Sequence, residues 1–530
     1  MSEQEFDVVV VGAGFAGMYL MHRLRRLGFK TKVIEAGSDV GGTWYWNCYP
    51  GARVDIESMQ YSYQFDEDLQ QEWQWTERYS PQPEILKYAR HVADRFDLRR
   101  DIQFDTRISS AVYDESAARW TLDAEDGAKF TARFFIMATG CLSKPNWPLI
   151  EGMDSFAGPT YHTAIWPHEN VDFTGKRVAV IGTGSSAIQS IPVIAEDAAE
   201  VFVFQRTANY AIPAHNAPLD RAYEKKVKDR YAEFRAEAKQ TPPGIHGRFR
   251  QGGALEVTPE EREAEYERRW VNGGLSFMGA YGDLMLDQAA NDTAAEFVRK
   301  KIRGIVDNPD VAELLCPTNI IGGKRLCVDT NYFATFNRDN VHLIDVKEQP
   351  IETITPGGVR AHGQDYPVDA LIFATGFDAM TGALTAVDIR GKGDVLLRDR
   401  WADGPSSYLG LAMADFPNLF TVTGPGSPSV FTNMLPTIEQ HVDWIADCLA
   451  YMKDHKHIAI EATPEAQSAW WDHVQDSVVE GLKATTNSWY LGANVAGKAR
   501  VFMPYYGGFP NYCRKCEQVV ADGYEGFAFG

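Results

Sequence analysis

Apolar residues fall into one arrangement that occurs twice along this chain. Phe6-Asp-Val-Val-Val-Val11 is a nearly unbroken apolar run that stops at Gly12, the pattern of a strand buried on both faces entering a turn. A helical stretch, Met18 to Leu27, follows, and then a second strand, Lys32 to Ile34, that ends in Glu35. The arrangement returns as a strand at Lys176 to Ile181, a helix at Ser185 to Ala195 and a strand at Glu200 to Phe204. This second unit ends in Gln205-Arg206-Thr207 instead of an acid. From Leu219 to about Asn308 the texture turns charged and helical, including Arg221 to Lys239 and Pro259 to Trp270. Strands reappear at Val341 to Ile344 and at Ala370 to Gly376, and Phe134 to Gly140 closes on the same Ala-Thr-Gly ending.

These elements predict an α/β fold with two Rossmann-like dinucleotide-binding domains and a helical insertion. The expected boundaries place the first domain at residues 1–140 and again at 377–530. The second takes 141–212 and 327–376, with the insertion at 213–326. A chain of 530 residues exceeds a single core, which agrees with that division.

Two glycine loops sit at the strand-to-helix turns: Gly12-Ala-Gly14-Phe-Ala16-Gly17 and Gly182-Thr183-Gly184-Ser185-Ser186-Ala187. In the first, Gly12 makes the turn, Gly14 lets backbone approach a pyrophosphate, and Gly17 lets helix and strand pack. The pyrophosphate then rests on the positive end of the helix. Glu35 is placed to accept both ribose hydroxyls of an adenosine, which suits FAD. At the equivalent point of the second unit Arg206 offers a guanidinium for a 2′-phosphate, which a carboxylate would repel, so NADPH is expected over NADH. Lys324 is a second candidate for that phosphate. Two such loops in one chain imply two nucleotides held together, and hence electron transfer from one to the other.

Charge and cysteine usage narrow the setting. The net charge of −20 argues against nucleic acid and anionic membranes as partners. Seven scattered cysteines fit a reducing, cytoplasmic location better than a disulfide scaffold. Cys513 and Cys516 read as two thiols on one helical turn, and no metal site is expected because zinc needs four ligands. No signal peptide or membrane-spanning run is expected.

The segment between the two units carries Phe156-Ala-Gly158-Pro-Thr-Tyr-His162-Thr-Ala-Ile-Trp166-Pro167, and the loop after the first unit reads Gly41-Gly-Thr43-Trp44-Tyr45-Trp46-Asn-Cys48-Tyr-Pro50-Gly51-Ala-Arg53-Val54-Asp55. With these, the chain resembles the class B flavoprotein monooxygenases of the Baeyer–Villiger type, whose linker pattern is met by Phe156, Gly158, His162, Trp166 and Pro167. The resemblance runs nearly end to end. It is nearest the phenylacetone and the steroid or large-ring ketone subgroup, including the loop Gly424 to Met434. Cys48 departs from the arginine usual at its position.

The resemblance implies that NADPH reduces FAD, that O₂ adds to the flavin, and that the peroxyflavin attacks a ketone to give an ester or lactone. The family's arginine falls on Arg325, paired with Asp55. A positive charge about 4 Å from the peroxide is worth about 4 kcal/mol at an effective dielectric near 20, or roughly three pKa units. Arg53, Thr183, Gly184, Ser185, Ser186, Ala187, Ile188, Gln189, Thr207, Lys324 and Trp489 fall on nicotinamide-nucleotide positions. Ala16, Thr43, Trp44, Tyr45, Trp46, Asp55 with the adjoining Val54, Tyr61, Ile108 and Met434 fall on flavin positions. His162, standing before a strand amid Pro and Gly, is expected to dock the linker and not to carry protons. Cys141, Ser429, Val430 and Phe431 are candidate walls of the ketone site. A monomer or weak oligomer is expected, with sulfoxidation as a side activity. The alternatives are an oxygenase acting mainly on sulfur or nitrogen, a disulfide reductase, for which Cys48 lacks a partner cysteine two or three positions away, and a non-catalytic nucleotide-binding protein, which the presence of both Arg325 and Asp55 argues against.

Overall fold

The computed structural model describes residues 4–479 and 481–530. The strand Gln4–Val11 lies at the heart of an eight-stranded sheet, and Val8, Val9 and Val10 are wholly buried because both faces are covered. It pairs in parallel with Thr31–Ile34 on one side and Lys129–Met137 on the other, so Val11 sits beside Ile34 and Met137. Ile108–Asp114 and Arg119–Ala124 extend the sheet antiparallel from Lys129–Met137. The chain returns to this sheet late: Asp388–Arg390 pairs with Ile108–Asp114, and Leu419–Thr421 pairs with Lys129–Met137. The helix Met434–His455 then packs along Phe15–Arg26, where the Tyr19 hydroxyl donates to Asp443 at 2.7 Å.

A second, five-stranded parallel sheet runs in the order Val341–Asp345, Glu200–Gln205, Arg177–Ile181, Ala370–Phe373, Thr160–His162. A small antiparallel meander, Thr353–Thr355, Gly358–Ala361 and Gln364–Pro367, precedes its strand Ala370–Phe373. The sequence pattern does not reveal that meander, because three or four residues per strand are too few to establish a period of two.

Between these sheets' contributions lie the helices Arg221–Lys228, Tyr231–Lys239, Pro259–Asn272 and Gln288–Ile305. Ala211–Pro213 pairs in parallel with Cys327–Asp329, so the chain leaves for the helical segment and comes back on adjacent strands. The expected stretch Arg221 to Lys239 is two helices, broken at Arg230, whose ψ of 36° is not helical. Beyond the break the buried Arg235 donates to Gln60 O at 2.8 Å and Ser62 Oγ at 2.6 Å, fixing the helices on the loop that follows Asp55.

One buried side chain places the turn that carries Arg325. Asn291 donates from Nδ2 to Leu284 O at 2.7 Å and Ile321 O at 2.9 Å, and its Oδ1 accepts from Ile321 N at 3.1 Å. Replacing it with Ala orphans three buried backbone groups at about 1–3 kcal/mol apiece before relaxation. Asn291→Ala is therefore expected to lower stability by about 2–4 kcal/mol, read as a fall in the calorimetric unfolding midpoint. The exposed Asn272→Ala serves as the control, expected to stay within about 0.5 kcal/mol.

Candidate active site

The first glycine loop is fixed by contacts that leave no room for larger residues. Gly12 has φ +106°, and a Cβ on Gly17 would stand 1.8 Å from Gly12 O. The helix Phe15–Arg26 begins at Gly14 with no side-chain cap, so the amides of its first turn are free to meet phosphate oxygens. The helix Ser185–Asp197 begins at Gly184 in the same way, and the space where a Gly184 Cβ would stand is open to 4 Å. Both starts fit a pyrophosphate.

Glu35, 4 % exposed, accepts Ala13 N at 2.6 Å on one carboxylate oxygen and Gly37 N at 2.8 Å on the other. Burial raises its carboxyl above the usual range, and these amides pull it back. Each oxygen retains a lone pair for a ribose hydroxyl. Trp44 Nε1 donates to Tyr61 OH at 3.1 Å, and Tyr45 meets Trp46 edge to face at 4.9 Å, on the short helix that Thr43 opens. Ala16 and Val54 are buried in the same core, Ile108 starts its strand, and Met434 starts its helix.

In the second unit Thr183 Oγ1 donates to Thr207 O at 2.8 Å, Ser185 Oγ lies 3.1 Å from Cys327 Sγ, and Ser186 Oγ 3.1 Å from Thr163 Oγ1. Ala187 and Ile188 are wholly buried in the core of the second sheet. The Gln189 side chain reaches across to the first unit: Tyr49 OH donates to its Oε1 at 2.8 Å, and its Nε2 donates to Arg53 O at 3.0 Å. Arg53 itself donates to Glu77 at 3.0 Å and to Tyr79 O at 2.9 Å. Among the described residues neither Arg206 nor Lys324 has a carboxylate partner, and burial, then the charge of Arg206, lowers the Lys324 ammonium. Two neighbouring cations without a counter-ion fit a dianionic phosphate.

Arg325 joins three parts of the chain. Its Nε and Nη2 donate to the same oxygen of Asp55, at 3.1 and 2.7 Å, and Nη1 donates to Val430 O at 2.8 Å. Burial works against its charge, but Asp55 together with Tyr490 and Cys327 outweighs it and holds the guanidinium above its ordinary value. Behind Val430, the buried Ser429 Oγ lies 3.5 Å from Cys141 Sγ. Phe431 packs on Tyr490, whose neighbour Trp489 is half-buried. Lys483, which carries no motif, is buried beside this group and escapes sequence reasoning entirely.

The linker docks on the aromatic loop. Trp166 N donates to Trp46 O at 3.3 Å, and the Cys48 thiol donates to Trp166 O at 3.5 Å and lies 3.7 Å from His168 Nδ1. Cys48, Trp166 and His168 border a cleft of about 810 Å³ that includes neither Arg325 nor Asp55. A Cβ on Gly158 would strike the Phe156 ring at 2.7 Å. His162 closes the strand Thr160–His162, a correction to the expectation that it stands before one; three residues suffice because Phe373 and its neighbours supply the pairing edge. Its Nδ1 accepts Ala164 N at 3.0 Å, and Nε2 lies 3.2 Å from Thr375 Oγ1, in the second Ala-Thr-Gly ending.

Fold and paired loops define a two-dinucleotide flavoprotein, and the family described as pyridine nucleotide-disulphide oxidoreductase matches residues 9–240. A Baeyer–Villiger monooxygenase of Pseudooceanicola batsensis is 42 % identical over 98 % of this chain and 95 % of its own length. The phenazine N-monooxygenase PhzNO1 of Lysobacter antibioticus is 41 % identical over 98 % and 96 %. A solved structure of oxidized steroid monooxygenase bound to NADP superposes with a TM-score of 0.95 at 52 % identity, covering 99 % of both chains. The chain belongs to the type I Baeyer–Villiger monooxygenase family. Its seven cysteines are free, and Cys48 faces carbonyls and an imidazole in place of a second thiol.

Burial lowers the pKa of His162 below the ordinary 6.5, offset in part by the Asn146 carbonyl. In the unfolded chain the imidazole takes up a proton as pH falls through about 6.5, while the folded protein resists it. The stability due to a neutral His162 is therefore complete above that pH and is lost as pH falls, by at most about 1.4 kcal/mol per unit. His162→Gln should flatten the fall of the unfolding midpoint between pH 7 and pH 5; an unchanged slope would assign the acid sensitivity elsewhere.

Proposed function

We propose that Arg325, clamped by Asp55, is the group that directs this monooxygenase to ketone carbonyls. The enzyme uses NADPH and FAD and converts ketones to esters or lactones. FAD, when bound and reduced, supplies the O₂-derived oxygen that enters beside the carbonyl. The observation carrying the reading is the convergence of Asp55 and Val430 O on one guanidinium at 2.7 and 2.8 Å. A cation held by two partners through all three of its nitrogens has its charge in place for negative oxygen before the reaction begins. Proton donation is not its task, because Asp55 holds it charged.

We assign FAD to the sheet containing Gln4–Val11 and the 2′-phosphate of NADPH to Arg206 and Lys324. Strand pairing supports a first domain of 1–140 with 377–530, a second of 141–212 with 327–376, and an insertion at 213–326. His162, with both ring nitrogens engaged, pins the linker to the second Ala-Thr-Gly ending. Cys141, Ser429, Val430 and Phe431 form a wall of the ketone site. No helix among the described residues is long and apolar enough to cross a membrane. Free cysteines support a cytoplasmic setting, with a monomer or weak oligomer as the working form.

The likeness to a phenazine N-monooxygenase supports a second reading, in which sulfur or nitrogen is the main acceptor. The two need opposite character in the transferred oxygen: nucleophilic for carbonyl carbon, electrophilic for a heteroatom. Arg325→Ala is expected to leave flavin reduction by NADPH intact and to cut ester formation by about 10²–10³-fold, with hydrogen peroxide released instead. Sulfide oxidation should fall far less. Ester, sulfoxide and peroxide yields from the same enzyme decide it; equal losses on ketone and sulfide would remove Arg325 from the carbonyl-specific role.

A further inference from the structure

Lys483 is a buried ammonium that neither the motifs nor the reaction uses. It is 8 % exposed and donates to Gly322 O, three residues before Arg325. The same ammonium stands over three aromatic rings, 4.8 Å from the centroid of Phe431 and 5.4 Å from those of Tyr490 and Tyr506. Phe431 follows Val430, whose carbonyl accepts the Arg325 guanidinium. Lys483 therefore touches both ends of the bracket that holds Arg325: the turn that carries it and the segment that receives it. Adjacent contacts reinforce the joint. Leu482 N donates to Met285 O at 2.9 Å, and a Cβ on Gly323 would fall 2.5 Å from Thr486 Oγ1, so the two segments lie backbone to side chain.

Burial of a lysine is costly without compensation. Among the described residues one carbonyl and three ring faces supply it, the rings attracting the cation electrostatically through their faces. Burial, and then the charge of Arg325, brings the Lys483 pKa down to about 7, so the ammonium and its hold on the rings are present below that pH and fade as pH rises through it. A merely space-filling role would be met at less cost by methionine or leucine.

We propose that Lys483 is a positioning residue of the oxygenation site: its ammonium ties the Gly322–Arg325 turn to Phe431 and the Tyr490–Tyr506 segment, and so fixes where the guanidinium stands between Asp55 and Val430. The inference rests on the reading of Arg325 given above. It concerns the spacing of three segments more than 50 residues apart in sequence, which no single motif encodes.

The test uses the flavin-loaded enzyme and three substitutions at one position. Lys483→Met keeps length and apolar bulk, Lys483→Gln keeps a hydrogen-bond donor, and Lys483→Arg keeps donor and charge. A displacement of the guanidinium by about 1 Å is expected to lower kcat for ester formation ten- to hundred-fold in Lys483→Met. The KM for ketone should stay within about twofold, because ground-state binding is not what is lost. Peroxide release should rise, and flavin reduction by NADPH should change by less than the oxygenation step. Lys483→Arg should recover most of the lost kcat. A folded Lys483→Met enzyme as productive as the parent overturns the proposal, and so does an equal fall in reduction and oxygenation, which marks general loss of structure. If Lys483→Met does not retain FAD, the remaining pair decides: Arg must outperform Gln in ester yield per NADPH, and equal yields overturn the proposal. Arg325→Ala is measured alongside. Ester formation surviving in that variant defeats the reading of Arg325, whereas its loss there with no effect at Lys483 defeats only the positioning role.

Discussion

The arrangement depends on one ion pair that cannot form unless distant segments are in register. Asp55 lies in the loop after the first strand–helix–strand unit, and Arg325 lies where the chain re-enters the second sheet's domain after the helical segment, 270 residues later. A half-buried guanidinium is costly to desolvate unless its donors are matched. Asp55 takes two of them on one oxygen, and Val430 O takes a third from the returning C-terminal portion. The charge proposed to serve the chemistry is thus also a lock among three pieces of the fold, and partial desolvation strengthens its field.

Neutral contacts keep the pair in register. Gln189 exchanges hydrogen bonds with the backbone of Arg53, two residues from Asp55, and with the Tyr49 hydroxyl, and a Cβ on Gly51 would stand 2.2 Å from Gln189 O. Trp166 N meets Trp46 O, so the linker is bonded to the aromatic loop and not merely adjacent to it. These short-range bonds fail abruptly with distance, unlike charge attraction, and so define a single relative placement.

Local patterns were legible and tertiary coincidences were not. The strand before Gly12, the uncapped helix after Gly14 and the acid at the end of Thr31–Ile34 all follow from residues within one βαβ unit, where spacing in sequence is spacing in space. Arg206 stands out by contrast with Glu35, since the two units repeat the same plan, and the proposal for it starts from that contrast. Lys483 could not: in Leu482-Lys-Ala-Thr-Thr it looks like a solvated lysine, and its cage comes from Gly322, Phe431, Tyr490 and Tyr506. The break at Arg230 was equally hidden, because both flanking helices are charged and amphipathic and the reason for the bend lies in the loop at Gln60–Ser62. Gln189 showed only as a member of the second glycine-loop segment, although its amide is spent on the other unit.

The most direct test is a double-mutant cycle between Asp55 and Arg325, read as the share of ¹⁸O from ¹⁸O₂ that reaches the ester in a single turnover of reduced enzyme. If the carboxylate acts by holding the guanidinium, Asp55→Asn lowers that share in the parent enzyme and has almost no further effect once Arg325 is Ala, a coupling of about 1–3 kcal/mol between neighbours in one network. Additive losses, with Asp55→Asn equally damaging in either background, would contradict the account.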